Sequence, residues 1–440
     1  KGDDSCHKSF EGMKNEKGQR EIKLLSKSKD IHSIGFFYSA VTEFLGFRAL
    51  RHEGKITGLA AYGSKDYQTV SSPVNLSSDG LTLHNSLVKN HEIKSRIILL
   101  INFLLLDYKF FFKNLFNNSA LELRYYQLLL LRFLKKNFNN ESRENIARYA
   151  QQELENKINN LISNTIKLSQ SNNICLSGGV FANVKLNQTV SEKTKKNIFV
   201  MPGMDDGGLS LGAALHVYET KSGFPAKEKF DHVYFGPKYS EEEILHDIKK
   251  FNFKYEKLES IEKKIAAALH EESIVGRFNG SMEWGPRALG NRSILASPKD
   301  KNINKILNDR LKRTEFMPFA PIILSEKSDE YFKDYKTDLK CTEFMTMTMN
   351  VKEEKIKSIP AVVHVDNTAR PQFVKKEKNE SLYNILIEYQ NLSGIPALIN
   401  TSFNLHEEPI VCNPYDALRA FKQGAVDFLA LGNFWISKNN

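Results

Sequence analysis

The chain has 440 residues, of which 41% are hydrophobic, 11% aromatic and 26% charged. That profile excludes a disordered polymer and a collagen-like repeat, and it leaves room for two or three domains. The 62 basic side chains outnumber the 52 acidic ones, for a formal charge of +10, an excess that suits anionic small-molecule substrates without requiring nucleic acid, and no nucleic-acid partner is expected.

Four cysteines (Cys6, Cys175, Cys341 and Cys412) lie far apart with no CxxC pair. A zinc ribbon, a redox dithiol and a disulfide scaffold are thereby disfavoured, and a cytoplasmic location is expected. The longest apolar run, 97–106, is broken by Asn102 and falls well short of the roughly 20 residues that cross a bilayer, so no membrane span is expected. The first residues, KGDDSCHKSF, are polar, carry no secretory signal and start with Lys rather than Met, as a fragment or a processed chain would.

In chain order, SIGFFYSAVTEFLGF has helical spacing and gives way to a glycine-punctuated loop, HEGKITGLAAYG. Residues 74–144 form a distinct insertion in which Asn- and Ser-rich loops surround the blocks RIILLINFLLLDYKFFFKNLF and YYQLLLLRFLKKNF. Cations interleaved with Phe are compatible with a membrane-surface face, but helices packed on the main core are the favoured reading. From Glu141 the pattern becomes regular: a long amphipathic helix, a buried strand at NICLSGGV, a helix at FANVKLNQTV, a strand at NIFVMP and a helix at GGLSLGAALHVYE. This βαβα order predicts an α/β sheet with parallel strands.

The Gly-, Pro- and charge-rich segment KSGFPAKEKFDHVYFGPKYS is the expected boundary between domains at 1–222 and 230–440. Beyond it, helices are predicted at EEEILHDIKK, SIEKKIAAALHEE, NINKILNDRLK, LYNILIEYQNLS and NPYDALRAFKQG. Strands are predicted at SIVGRF, FAPIIL, MTMTMNV, AVVHV and IPALINTSF. Asn413 and Pro414 suit the cap and first turn of the last helix.

Polar residues gather in several places. Residues 276–300 interleave Arg277, Glu283, Arg287, Asn291, Arg292 and Ser293 with four glycines, among them Gly285. Glycine lets backbone amides approach an anion, and the guanidinium fork matches phosphate oxygens, although no Walker A lysine is present. A second group, 308–321, carries Arg310, Lys312, Arg313 and Glu315, with 310 and 313 on one helical face and 312 away from it.

A third, 362–374, alternates His364, Asp366, Thr368, Arg370 and Gln372 from a strand into a loop, and NTSFN (400–404) ends a strand with Ser402 and Asn404. In the first half, LSGGVFAN (Gly178, Gly179, Asn183) and PGMDDGGLSLGAAL (Asp205, Asp206) place glycine pairs between strand and helix, where phosphate and a cation are candidate ligands. No GxSxG and no Ser-His-Asp or Cys-His set is apparent, which argues against covalent hydrolase chemistry.

EGKITGLAAYG, LSGGVFANVKLN, PGMDDGGLSLGAAL, MEWGPRALGNRSIL, EFMPFAP, HVDNTARPQFV and GIPALINTSFNLHEEPIV, in this order, resemble the carbamoyltransferase family that includes nodulation-factor and antibiotic O-carbamoyltransferases. The resemblance implies a partial actin/Hsp70-like domain (ASKHA, similar to the tRNA threonylcarbamoyl transferase) at 1–222. A YrdC-like α/β domain at 230–440 would follow it. It implies that the second domain uses ATP and carbamoyl phosphate to form carbamoyl-adenylate. The first would then pass the carbamoyl group to a hydroxyl of a sugar-like or secondary-metabolite acceptor, with Mg2+ and Fe2+ as cofactors and a homodimer as a possible assembly.

Carried over residue by residue, the catalytic positions are Arg287, Arg292, Lys312 and Arg370. The cofactor-binding ones are Glu283, Gly285, Ser293, His364, Thr368, Ser402, Asn404, Gly178, Gly179 and Asn183, and the metal ligand is Asp206. Thr314 stands where the family's Lys-x-Arg pair commonly has Arg, with Arg310 and Arg313 as the nearby substitutes. The family's opening strand and HxxxH metal pair have no counterpart in this sequence, so about the first half of the first domain is expected to be missing. A tRNA threonylcarbamoylation enzyme and a non-catalytic ATP-binding scaffold are the alternatives.

Overall fold

The structure, a computed structural model, describes residues 5–14, 20–64, 70–87, 118–223, 230–312, 319–333, 340–405 and 407–438. They divide into two compact units, one of residues 1–172 with 189–196 and one of residues 173–188 with 197–440.

The first unit begins with an antiparallel ribbon, β1 (Ser5–Lys14) and β2 (Arg20–Lys29). Helix α1 (Ile34–Phe44) follows, capped by Ser33, whose hydroxyl accepts from the Phe36 amide at 3.2 Å. HEGKITGLAAYG, expected as a loop, contains helix α2 (Glu53–Leu59) and a 3-10 turn over Ala60–Tyr62. Burial of Ile56 and Leu59 outweighs the low helix propensity of the two glycines.

A short hairpin, β3 (Val74–Leu76) with β4 (Leu83–Asn85), precedes helices α3 (Asn118–Phe138) and α4 (Arg143–Thr165). In α3, Leu130, Leu134 and Phe138 recur every fourth residue and are buried, as a helix packed on a core requires. The other apolar block, 96–116, lies outside the described residues.

The second unit opens with parallel strands β5 (Asn173–Leu176) and β6 (Asn197–Val200), with helix α5 (Val184–Thr194) between them in the chain and α6 (Gly208–Ser222) after β6. The sequence predicts a buried strand at NICL. The strand forms, but Asn173 and Cys175 are exposed, because a two-stranded sheet leaves one face uncovered. The expected boundary segment falls partly on 224–229, outside the described residues.

The rest of the unit is built on an eight-stranded mixed sheet in the order β13-β10-β14-β9-β8-β15-β16-β7. Its strands are β7 (Lys254–Lys257), β8 (Val275–Phe278), β9 (Arg292–Ala296), β10 (Ala320–Leu324), β13 (Gln372–Val374), β14 (Ala397–Ser402), β15 (Phe428–Leu431) and β16 (Phe434–Ser437). A two-residue ladder, β11 (Met349–Asn350) with β12 (Thr368–Ala369), stands apart from it.

Helices α7 (Glu241–Phe251), α8 (Ile261–His270), α9 (Asn302–Arg310), α10 (Glu380–Ser393) and α11 (Pro414–Lys422) match the predicted segments. The last has the expected cap, a reciprocal box between Asn413 and Asp416 with Pro414 in its first turn. Helices α8 and α10 pack together and bury Ile265, Leu269, Leu382, Ile385, Leu386 and Tyr389 against Val275, Leu295, Ile322 and Leu398 of the sheet. Gly276, the next residue of β8, turns the other way, onto Phe403 and Val426.

Two strand predictions do not hold at full length. Of MTMTMNV only Met349–Asn350 joins a ladder: Met345 has φ +53°, and the hydroxyls of Thr346 and Thr348 are spent on Cys341 O and Val184 O. AVVHV holds a 3-10 turn over Pro360–Val362, begun by proline. Conversely, RSILA, which is not among the predicted strands, is the central strand β9.

Gly290 has φ +110°, and a Cβ there would stand 2.4 Å from Leu382 Cδ2. Gly290→Ala should therefore cost about 2–4 kcal/mol, from backbone strain plus overpacking. Chemical denaturation checks this, and an unchanged midpoint would contradict the packing of the 279–291 loop on α10.

Candidate functional site

The sheet register brings the separate motifs to one edge. Phe278, at the end of β8, pairs with Arg292 at the start of β9, and Ser293 pairs with Ser402 at the end of β14. Asn400 pairs with Ala320 at the start of β10, Ile322 pairs with Gln372 at the start of β13, and Phe278 pairs with Leu431 at the end of β15. The 279–291 loop, the residues preceding Gln372 and the NTSFN turn thus line a single shelf. From β13 to β15 it spans five strand spacings, roughly 24 Å. At its β15 end lies a cavity of about 430 Å3 lined by residues that include Lys238, Tyr239, Phe278, Asn279, Gly280 and Gly432.

The loop joining β8 to β9 is pinned on both sides of its backbone. Glu283 Oε1 accepts from the amides of Leu289 (2.8 Å), Asn291 (2.7 Å) and Arg292 (3.2 Å), while the Gly290 amide donates to Ser293 Oγ (3.0 Å). The Ala288 carbonyl accepts from Asn400 Nδ2 (3.0 Å), Leu289 O from Gln372 Nε2 (3.0 Å) and the Tyr234 hydroxyl (2.9 Å), and Gly290 O from Arg277 Nη1 (2.8 Å). Glu283 and Ser293, expected to face a ligand, are buried in this framework. The amides of a glycine-rich loop were expected to meet a phosphate; at Leu289, Asn291 and Arg292 the anion they meet is the protein's own carboxylate.

Arg292 is fully buried as well. Its Nη1 donates to Asn279 O (2.9 Å) and Asn291 O (3.0 Å), its Nη2 to Pro237 O (3.1 Å) and Gly280 O (3.2 Å), and its guanidinium lies 3.6 Å from the Phe278 ring centre. Burial lowers its pKa to about 10. A guanidinium whose Nη donors all go to carbonyls, with only its buried Nε unpaired, and which stacks on an aromatic face, ties together chain segments. It has little capacity left for a phosphate.

Arg287 and Arg370 differ. Arg287 donates from Nη2 to Ala182 O at 3.4 Å, and its buried Nε has no partner. Burial, and then the nearby charge of Arg370, hold its pKa well below the usual arginine value. Arg370 has no hydrogen-bond or ion-pair partner among the described residues, and burial lowers it to about 10. By surface area both side chains are half-buried rather than buried, and the two guanidinium groups are near enough to repel each other, with no acid paired to either among the described residues. Such a pair is costly until an anion joins it.

Arg370 follows a turn whose geometry is set by Asp366. The Thr368 hydroxyl (2.6 Å) and amide (3.2 Å) donate to Asp366 Oδ1, His364 Nδ1 lies 3.3 Å from the same oxygen, and Lys185 Nζ lies 3.2 Å from Oδ2. Burial works against ionisation of Asp366, but the His364 hydrogen bond, the Lys185 charge and the Thr368 hydroxyl outweigh it and hold the carboxyl below the usual range. Thr368 is therefore occupied within the turn. Lys185 was not singled out in the sequence; the signal was its position two residues after Asn183, whose Oδ1 caps α5 by accepting from the Leu186 amide at 3.0 Å.

Gly178, with φ +113°, donates from its amide to Met204 O at 2.7 Å, joining the loops after β5 and β6. Gly178 and Gly179 are exposed. Gly285, with φ +113°, lies against Pro202, and the Trp284 ring covers Gly203, where a Cβ would stand 2.6 Å from the ring.

Ser402 donates to Asn404 Oδ1 at 2.6 Å, and Asn404 Nδ2 reaches Leu405 O and Glu408 O, so this pair braces the end of β14. Lys312 is exposed, with φ +55°, after α9. Arg310 is paired to Asp427 at 2.7 Å, and Arg313 and Glu315 lie outside the described residues. Asp206 is exposed, and Asp205 Oδ1 accepts from the Gly207 amide at 3.0 Å. Among the described residues no group of three or more His, Cys, Asp or Glu could hold a metal. One exposed carboxylate does not fit an iron or magnesium site.

Two family models match the chain, one described as the carbamoyltransferase N-terminus, over residues 7–215, and one as the carbamoyltransferase C-terminus, over residues 266–438. The chain belongs to the carbamoyltransferase family. Among its relatives, the uncharacterized protein MJ1051 of Methanocaldococcus jannaschii is 37% identical over 433 residues, covering 96% of this chain and 75% of its own length. The nodulation protein NolO of Bradyrhizobium diazoefficiens is 30% identical over 421 residues, covering 92% of this chain and 69% of its own. The chain thus spans about two-thirds to three-quarters of the length of these relatives.

A solved structure of full-length HypF, in a phosphate- and nucleotide-bound form, shares 17% identity at a TM-score of 0.29, over 43% of this chain and 22% of that chain. A likeness of that size carries no argument about this carbamoyltransferase. Its described helices contain none long and apolar enough to cross a membrane.

The Asp366 turn has a pH signature. Because the folded carboxyl titrates below its unfolded value of about 3.9, its stabilisation is complete above that value and is lost as pH falls through the folded pKa. Asp366→Asn should lower stability at neutral pH and remove part of the acid-induced loss below about pH 4. Denaturation curves from pH 7 downward check this, and parallel wild-type and variant profiles would contradict it.

Proposed function

We propose that the shelf binds carbamoyl phosphate and ATP, that water hydrolyses the donor to carbamate and phosphate, and that a carbamate oxygen then attacks the α-phosphorus of ATP to form carbamoyl-adenylate as pyrophosphate leaves, with later transfer of the carbamoyl group to a hydroxyl of a sugar-like or secondary-metabolite acceptor and release of AMP. Family membership supports carbamoyl transfer. The observation that carries the donor assignment is the pair Arg287 and Arg370: two half-buried, mutually repelling guanidinium groups lacking an acidic partner among the described residues.

A phosphate dianion between them neutralises both charges and removes their repulsion, so part of the unfavourable energy stored without ligand becomes binding energy. The guanidinium forks also fix the phosphate's orientation, which a lysine at either position would do less well. Lys185 and Asp366, held to each other at 3.2 Å, set the turn that delivers Arg370. The cavity of about 430 Å3 at the β15 end is of the size that encloses a small ligand, which supports placing the nucleoside there and the phosphates along the shelf. A water-excluding site would protect the labile mixed anhydride before it reaches the acceptor.

Arg287→Ala and Arg370→Ala should each reduce carbamoyl-phosphate-dependent pyrophosphate exchange into ATP by about 100-fold or more while the protein stays folded. Arg292→Ala should instead lower the melting temperature, because it leaves buried carbonyls unpaired. Normal exchange in both the Arg287 and Arg370 variants would contradict the assignment.

A further inference from the structure

The geometry points to Glu283 as the positioning residue of the site: an internal anion that holds the backbone on either side of Arg287 through one oxygen bound to three amides and, making no ion pair with Arg287, leaves the arginine pair free for the donor's phosphate. The inference rests on the reading of Arg287 and Arg370 as the phosphate ligands. One oxygen of Glu283 accepts from three amides, those of Leu289, Asn291 and Arg292, at 2.7–3.2 Å. The side chain is only 6% exposed, and its other oxygen is buried without a partner.

Arg287 lies between Glu283 and the first of these amides, so its backbone is closed into a ring by the carboxylate. The carbonyls of Ala288, Leu289 and Gly290 are held from the opposite side by Asn400, Gln372, Tyr234 and Arg277. Repulsion from Arg370 would otherwise drive Arg287 toward water. A loop anchored on both sides cannot relieve that repulsion by moving, and the guanidinium stays where an anion must meet it.

The chemistry of the anchor matters as much as its position. A carboxylate four residues from Arg287 and paired with it would occupy the phosphate's place. Glu283 makes no hydrogen bond or ion pair with Arg287 among the described residues, since its engaged oxygen is committed to the amides. A charged acceptor also binds three N–H groups more tightly than a neutral one. The nest that in other glycine-rich loops receives a ligand's phosphate is here permanently filled.

A double-mutant cycle with carbamoyl phosphate as the titrant tests this. Glu283→Ala should weaken carbamoyl phosphate about tenfold or more, and the Glu283→Ala/Arg287→Ala variant should bind within about twofold of Arg287→Ala alone, because the two residues act as one unit. Glu283→Gln, which keeps an oxygen acceptor, should recover part of the loss. If the alanine variant does not fold, Glu283→Asp, which keeps the charge but shortens the reach, takes its place with the same expectation.

Wild-type affinity in Glu283→Ala, or losses that multiply in the double variant, would overturn the proposal. Should the wild-type chain itself not bind carbamoyl phosphate, the donor reading falls, and hydrogen exchange then decides the anchor separately. Faster exchange of the Leu289, Asn291 and Arg292 amides in the variant supports it, and unchanged exchange overturns it.

Discussion

A guanidinium group taken out of water must find acceptors, and the second unit of this protein is organised around how its buried and half-buried arginines meet that demand. Arg277 spreads its donors over Gly290 O, Asn291 Oδ1 and Ser381 Oγ. Arg292 takes four carbonyls and the face of Phe278. These two act as rivets between β8, β9 and the loop that joins them. Arg287 and Arg370 receive far less, a single long contact to Ala182 O for the first and nothing among the described residues for the second. The cations with several acceptors hold the shelf together, and those with few define what it can accept.

The contrast explains why residues that look equivalent in a string of letters play different parts. GPRALGNRS presents two arginines five positions apart. One sits at the crest of a loop and the other begins a fully buried central strand. Composition and spacing identify an anion-handling region but not which cation is available, because availability depends on where neighbouring carbonyls fall in three dimensions. The same holds for Glu283, whose carboxylate is consumed by amides up to nine residues further along the chain.

Most of the helices were legible, since their apolar spacing and caps are local properties, as Asn413 with Pro414 shows. Strands were harder to read. RSILA is buried along its whole length and lacks alternation, while MTMTMNV alternates yet has its threonine hydroxyls diverted to backbone carbonyls of other segments. The convergence of the 279–291 loop, Arg370 and NTSFN along one edge was not readable at all, for it follows from the order β13-β10-β14-β9-β8, which is set by long-range pairing. Lys185 escaped notice for a related reason: its partner Asp366 is distant in sequence.

The chain has two tryptophans. Trp435 is enclosed in the core, whereas Trp284 is only partly buried and rests on Gly203, beside Glu283 and three residues before Arg287. An indole so placed is a built-in optical gauge. Its emission would register occupancy of the arginine pair against a nearly constant background, so ligand titrations need no added dye or label.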